Sequence, residues 1–324
     1  MPPNHTVVLT IGAAERVAAE LEALPDLTLV KRYELASARD DDVIARGLDG
    51  AWAVVAGSEP YTRGVLAATP ELKAILRWGT GSDSIDIPAA TDAGVAVITT
   101  PAVNAEAVAD MALALMLACI RRLPELDAIV RSGEWRGLGP TRDLATATVG
   151  IVGLGAIGRA VARRLRGFDC RVLALEPNPD LEFCEEYKVE LTDLDGMLPR
   201  VDVLTLHAPS TETTRHLIGA AQLEALPRHA VLINAARGDL IDQPALVAAL
   251  HNGEIAAAGL DVFEREPPAR NDPILSAPNT ILSGHISSYT DLGLDRTGEM
   301  VIANLRAALA GRLPPSCLNP EAWN

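Results

Sequence analysis

Aromatic residues are scarce in this sequence: Phe, Trp and Tyr together make up 3% of its 324 residues. So few rings offer little stacking surface to single-stranded nucleic acid. Cations are outnumbered as well, 28 Lys and Arg against 43 Asp and Glu, for a formal net charge of −15. That surface repels phosphate backbones and argues against a nucleic-acid partner. It leaves a small anionic substrate open, because one local Arg outweighs a distant field. Long apolar runs are missing: the most apolar, Ala112 to Ile120, is bounded by Asp110 and Arg121, far short of the ~20 residues that cross a bilayer. The opening stretch MPPNHTVVLTIGAAER has no basic leader followed by an apolar segment and a cleavage site, so no secretory signal is expected. Cysteines are few and scattered (Cys119, Cys170, Cys184 and Cys317), with no CxxC and no His at ligand spacing. Reduced thiols are expected, neither a disulfide framework nor a metal site. These absences together describe an acidic, cytoplasmic protein with no membrane or nucleic-acid partner.

What is present is a rhythm. Short β-branched or apolar runs alternate with Ala/Leu/Arg-rich helical stretches almost throughout, the pattern of parallel sheets with crossover helices. At 324 residues two domains are expected. The first third predicts strands at Thr6–Thr10, Leu27–Lys31, Trp52–Ala56, Ala74–Arg77 and Val95–Thr99, with helices near Ala13–Ala23 and Arg63–Ala68. A helix from Ala105 to Arg122 is apolar nearly all round, so burial between domains or subunits is expected. A second cycle predicts six strands, near Thr148–Val152, Arg171–Leu175, Asp202–Leu206, Ala230–Asn234, Ala256–Leu260 and Thr280–Leu282. Six strands match a doubly wound dinucleotide-binding sheet. The final amphipathic helix, Asp295–Ala310, is too short for a domain of its own and is expected to pack onto the first third. The smaller domain is therefore discontinuous, 1–100 plus 291–324, and the larger covers 101–290.

Between the strand ending at Val152 and the next helix stands Gly153-Leu154-Gly155-Ala156-Ile157-Gly158, a G-x-G-x-x-G in the context that gives it meaning. Gly153 permits the tight turn, Gly155 lets the backbone approach a pyrophosphate and Gly158 allows close helix–strand packing. The free N–H groups of Ala156 and Ile157 at the helix start would hold the phosphates. Glu176, at the end of the next strand, lies 23 residues after Gly153, close to the ~20 at which a carboxylate meets the adenosine ribose. No Arg or Lys lies between Leu175 and Glu182 to welcome a 2′-phosphate, which favours NAD over NADP.

Arg237-Gly238 follows the strand Ala230–Asn234, Asp261 and Glu266 follow the next, and His285 follows the last. These are the ligand-facing ends of a parallel sheet. An Arg, a Glu and a His converging there suit carbonyl chemistry on an anion. Arg clamps a carboxylate with two hydrogen bonds, His exchanges a proton near neutral pH, and Glu orients and charges the His.

Asn234-Ala235-Ala236-Arg237-Gly238, then Gly259 to Pro267 (GLDVFEREP), then Gly284-His285-Ile286 resemble signatures of the D-isomer-specific 2-hydroxyacid dehydrogenases. Leu206-His207-Ala208-Pro209, Arg77 to Asp86 (RWGTGSDSID) and Thr100-Pro101 with Asn104 and Asp110 resemble further motifs of that family, from about residue 50 to 290. The resemblance implies two doubly wound parallel-sheet α/β domains, a Rossmann NAD-binding domain and a smaller flavodoxin-like substrate domain. It implies an NAD-dependent enzyme moving hydride to or from C2 of a small D-2-hydroxy or 2-oxo acid. Arg237 would bind the substrate carboxylate and carbonyl, His285 would be the acid/base, and Glu266 would pair with His285. Asp261 would accept from the nicotinamide carboxamide, Ala208, Ala235 and Ala236 would line the nicotinamide side, and Thr80 and Gly81 would offer N–H groups to the carboxylate. It also implies a homodimer. A D-3-phosphoglycerate dehydrogenase, or a non-catalytic NAD(H)-sensing module on the same fold, stays open. Against the phosphorylated substrate, the strand end carrying the family's phosphate-binding Arg reads Val55-Ala56-Gly57 here.

Some residues depart from the family pattern or carry a plainer reading. Trp78 replaces a small residue or His, either reshaping the substrate pocket or filling a core. Ser287-Ser288 replace small residues after the His. His207 is expected to support its loop, Asp83 and Asp86 to cap a turn, Trp52 and Trp135 to anchor packing, and Met111 and Met116 to be core.

Overall fold

Two parallel sheets organise the chain in the computed structural model, which describes residues 5–323. The described chain divides into two units, one running up to Asn104 and resuming at Thr290, the other spanning Ala105–Tyr289. In the first unit, β1 (His5–Leu9), β2 (Leu27–Lys31), β3 (Ala53–Ala56), β4 (Ala74–Arg77) and β5 (Ala96–Ile98) form a sheet of order β2-β1-β3-β4-β5. Every pairing is parallel, and this is the flavodoxin-like order. All four residues of β3 are buried, as in strands covered by helices on both faces. Trp78 is 7% exposed within the core of this unit. A Cβ on Gly298 would lie 3.4 Å from its ring, so Trp78 is a core side chain against the last helix. That helix runs Asp291–Leu309, and Gly298 also gives room to Val17. Asp86 caps the helix Ile87–Asp92 through the Ala89 N–H.

In the second unit, β6 (Thr148–Val152), β7 (Arg171–Leu175), β8 (Val189–Leu191), β9 (Val203–Leu206), β10 (Val231–Asn234), β11 (Ala257–Leu260) and β12 (Thr280–Leu282) form a sheet of order β12-β11-β10-β9-β6-β7-β8. This is the doubly wound Rossmann order, parallel throughout and extended by one strand. The expected six strands are thus seven. The unexpected one, β8, is a three-residue edge strand with two exposed positions, so it has no apolar run to reveal it. Its Glu190 accepts from Arg171 and Arg200 instead. The helix Ala105–Ile120 places Ala109, Ala112 and Met116, all fully buried, in the core beside the sheet. Met111 packs against the same core. Trp135 departs from expectation: it is 93% exposed and anchors no packing within the described chain. Among the described residues no helix is long and apolar enough to cross a membrane, and no cluster of His, Cys, Asp or Glu could hold a metal ion.

Candidate active site

The carboxyl edge of the larger sheet carries the residues singled out above. The strand order reverses between β6 and β9, which is where such sheets open a crevice for ligand. Gly153 ends β6 at φ +92°, and a Cβ there would strike the Ala208 N and the His207 carbonyl at 2.7–2.8 Å. A Cβ on Gly158 would lie 2.1 Å from the Gly153 carbonyl oxygen. Both positions are closed to any side chain. Gly155 differs, since its Cβ would meet nothing within 4 Å. It faces open space at the start of the helix Ala156–Leu165, whose first turn has no side-chain cap. Uncapped N–H groups beside open space form a cradle for an anionic phosphate, and the glycine turn fits a dinucleotide.

Glu176, at the end of β7, is half-buried beside this turn. One carboxylate oxygen accepts from the Leu154 N–H at 2.8 Å and the other from the Asn178 N–H at 3.1 Å. The carboxylate is thereby fixed next to the cradle. The nearby Arg159 is turned away from ligand duty, bonding the Leu154 carbonyl at 3.0 Å and Asp180 at 2.8 Å. His207, at the end of β9, bonds Thr205 Oγ1 through Nε2 at 2.9 Å. Burial pushes its pKa down to about 4, so it is a neutral loop support.

On the other side of the reversal, β10, β11 and β12 lie side by side and deliver Arg237, Glu266 and His285. The buried Asn234 amide fixes the Arg237 turn, accepting from the Ala236 N–H at 3.1 Å and donating to the Arg237 carbonyl at 2.8 Å. Ala235 and Ala236 are buried at this turn, 8% and 7% exposed. Gly238 allows the next loop to come close, since a Cβ there would sit 1.9 Å from the Phe263 carbonyl carbon. The Phe263 N–H donates to Glu266 Oε1 at 3.1 Å, and Glu266 Oε2 lies 2.6 Å from His285 Nδ1. With Nδ1 occupied, Nε2 is the ring nitrogen left for chemistry. His285 keeps half of its side chain exposed.

Asp261, which the resemblance gives to the nicotinamide carboxamide, directly follows β11. It is 0% exposed. Its Oδ1 accepts from Ser283 Oγ at 2.6 Å and the Ile286 N–H at 3.1 Å. Its Oδ2 accepts from the Ser287 N–H at 3.0 Å and from the Ser287 hydroxyl. The carboxylate holds the turn that bears His285. Sequence reasoning missed this role and that of Ser287; the serine after the His was the available signal.

In the smaller unit, Thr80 and Gly81 follow β4. The Thr80 hydroxyl donates to the Thr100 carbonyl at 3.2 Å, and Gly79 holds the turn at φ +136°. Glu59, after β3, is fully buried and accepts from the Gly57 N–H at 3.1 Å and the Tyr61 hydroxyl at 2.8 Å.

Comparison with known proteins identifies the family. The family model for the D-isomer specific 2-hydroxyacid dehydrogenase NAD binding domain matches residues 113–287. A glyoxylate reductase of Korarchaeum cryptofilum is 41% identical over 269 residues, covering 82% of this chain and 81% of its own. A D-3-phosphoglycerate dehydrogenase of Methanocaldococcus jannaschii is 36% identical over 302 residues, covering 93% of this chain and 55% of its own. Among solved structures, a D-lactate dehydrogenase of Aquifex aeolicus complexed with NAD and lactic acid superposes with a TM-score of 0.87 at 27% identity, covering 97% of this chain and 99% of its own. The chain belongs to the D-isomer-specific 2-hydroxyacid dehydrogenase family and is an NAD-dependent oxidoreductase.

Proposed function

We propose that the protein reduces small, unphosphorylated 2-oxo acids of the glyoxylate and hydroxypyruvate class to the 2-hydroxy acids, with Arg237, Glu266 and His285 as its catalytic residues. The observation that carries this reading is the 2.6 Å Glu266–His285 contact, on loops beside the one that bears Arg237. The Gly153–Gly158 turn and Glu176 would hold NADH, with Ala208, Ala235 and Ala236 on the nicotinamide side, and the bound cofactor would supply the hydride for C2. Arg237 pairs with the substrate carboxylate and polarises the C2 carbonyl. As negative charge grows on that oxygen, His285 Nε2 donates a proton to it. Glu266 keeps the ring oriented through Nδ1 and stabilises its cationic form before transfer. In the oxidative direction His285 takes the hydroxyl proton back. Thr80 and Gly81 are the proposed backbone donors to the substrate carboxylate.

A 3-phosphorylated substrate is disfavoured by the buried Glu59 carboxylate at the β3 edge, beside Gly57. A phosphate there would meet that carboxylate, and the guanidinium at the same strand end, Arg77, is engaged by the Ala56 and Trp78 carbonyls at 3.4 and 2.7 Å. Relatives at 41% and 42% identity also bear glyoxylate reductase names.

A homodimer is supported by the segment carrying Trp135. That Trp is 93% exposed, and Leu123 and Val130 near it are 51% and 57% exposed. A cavity of about 550 Å³ lies beside the same segment, lined by Arg122, Pro124, Pro140 and Thr141 among others. A projecting aromatic on a segment whose two ends line a hollow suits a two-fold, self-complementary interface. A monomeric mass at micromolar concentration would contradict it.

NADH oxidation against glyoxylate, hydroxypyruvate, pyruvate, longer 2-oxo acids and 3-phosphohydroxypyruvate tests the substrate reading. Glyoxylate or hydroxypyruvate is expected to lead; preferential turnover of the phosphorylated acid would overturn it.

A further inference from the structure

His285 stands in an unusual backbone state. Its φ is +54°, the left-handed region that favours glycine, and its loop must keep that conformation while the ring exchanges protons. Glu266 holds the ring, but a ring bond does not hold the backbone beneath it. The groups that do converge on Asp261. Its carbonyl oxygen accepts from the His285 N–H at 2.6 Å. Its side chain takes Ser283 Oγ and the Ile286 N–H on one oxygen, the Ser287 N–H and hydroxyl on the other. Of the residues from Ser283 to Ser287, only Gly284 is not tied to this one aspartate. A fully buried carboxylate accepting four donors is compensated for its lost hydration, and charge-assisted bonds of this kind are strong and directional.

We propose that Asp261 is the positioning residue of His285: with Ser283 and Ser287 it clasps the turn in its left-handed form, so that Nε2 stays aimed at the reacting oxygen. This rests on His285 being the acid/base. The clasp acts through the backbone and Glu266 through the ring, so the two fix different degrees of freedom. Ser287 has a specific part in it, because its hydroxyl and its N–H both serve Oδ2.

The test uses the full-length enzyme with Ser283→Ala/Ser287→Ala, Ser287→Thr and Asp261→Asn variants. Readouts are the hydride-transfer rate in a single turnover at saturating NADH, the NADH Kd by fluorescence, and the melting temperature. The double serine variant leaves Asp261 and its charge in place. It is expected to slow hydride transfer by about tenfold to a hundredfold, the scale of a small misplacement of a reacting group, with the NADH Kd unchanged. Ser287→Thr keeps a hydroxyl and is expected to stay near wild type. Asp261→Asn, which turns one acceptor into a donor facing N–H groups, is expected to match or exceed the loss of the double variant. A double variant that transfers hydride at the wild-type rate overturns the clasp, as does a defect confined to NADH binding that vanishes at saturation. If the double variant fails to fold, Ser287→Ala alone decides on the same readouts. His285→Ala separates the two layers. If it retains wild-type turnover, the acid/base reading fails; if it is inactive while the double serine variant is fully active, the clasp alone fails.

Discussion

Glu266 Oε2 and His285 Nδ1 lie 2.6 Å apart, and the other oxygen of Glu266 is held by the Phe263 N–H at 3.1 Å. The carboxylate is therefore braced from one side while it orients the imidazole from the other. The bracing loop reaches its place because Gly238 has no Cβ to collide with Phe263. One glycine after β10 thus supports the Glu266–His285 pair, built on the loops after β11 and β12.

Glu266→Gln keeps an oxygen that can accept from the ring but removes the charge that supports the imidazolium. Turnover should fall by about tenfold to a hundredfold, less than the loss expected on removing the acid/base itself. The NADH Kd should not change. Steady-state kinetics with a fluorescence titration check both, and an equal loss of NADH affinity would move Glu266 out of the proposed role.

The glycines of the dinucleotide turn should separate by mechanism. A Cβ at position 155 has nothing within 4 Å, so Gly155→Ala should melt at the wild-type temperature. It should nonetheless weaken NADH binding by about tenfold or more, about 1.4 kcal/mol, because it fills the cradle. A Cβ at position 158 meets a backbone oxygen at 2.1 Å, so Gly158→Ala should lose thermal stability as well. Calorimetry beside ligand titration distinguishes them.

Cofactor choice should run through Glu176, whose carboxylate is fixed against the Leu154 N–H. Glu176→Ala should lower the NADH-to-NADPH ratio of kcat/KM by about tenfold, the equivalent of about 1.4 kcal/mol. Parallel assays with the two cofactors check this. A ratio that does not move would place selection elsewhere.

His207 should give stability a pH dependence of known sign. Burial lowers its pKa from 6.5 to about 4, so between these values the unfolded chain binds a proton that the folded one refuses. Its contribution is complete above about pH 6.5 and is lost as pH falls towards 4, amounting to about 3 kcal/mol at most. His207→Gln, which keeps a nitrogen for Thr205, should flatten the melting temperature between pH 6.5 and 4. A mutant as pH-sensitive as wild type would show that another group is responsible.

Much of this was legible in the sequence, for physical reasons that also mark where legibility ends. Strands such as Val203–Leu206 and Val231–Asn234 are buried on both faces and read as apolar runs. β8 has no such run and escaped notice. The glycine turn could be read because sterics demand glycine at Gly153 and Gly158, where no other residue fits. Arg237, Glu266 and His285 stood out because each follows a strand of a parallel sheet. Trp78 and Trp135 could not be told apart, because one-dimensional sequence does not say which neighbour covers a ring; one is core and the other 93% exposed. The turn to Asp261 was hidden for a related reason. A carboxylate's chemistry is evident from its type, but the direction it faces depends on donors more than 20 residues further along the chain.

The most direct test of the account is turnover of glyoxylate and hydroxypyruvate by His285→Ala, measured alongside its NADH Kd. The account predicts a loss of about 100- to 10,000-fold in turnover with cofactor affinity intact. Wild-type turnover with His285 removed would contradict it.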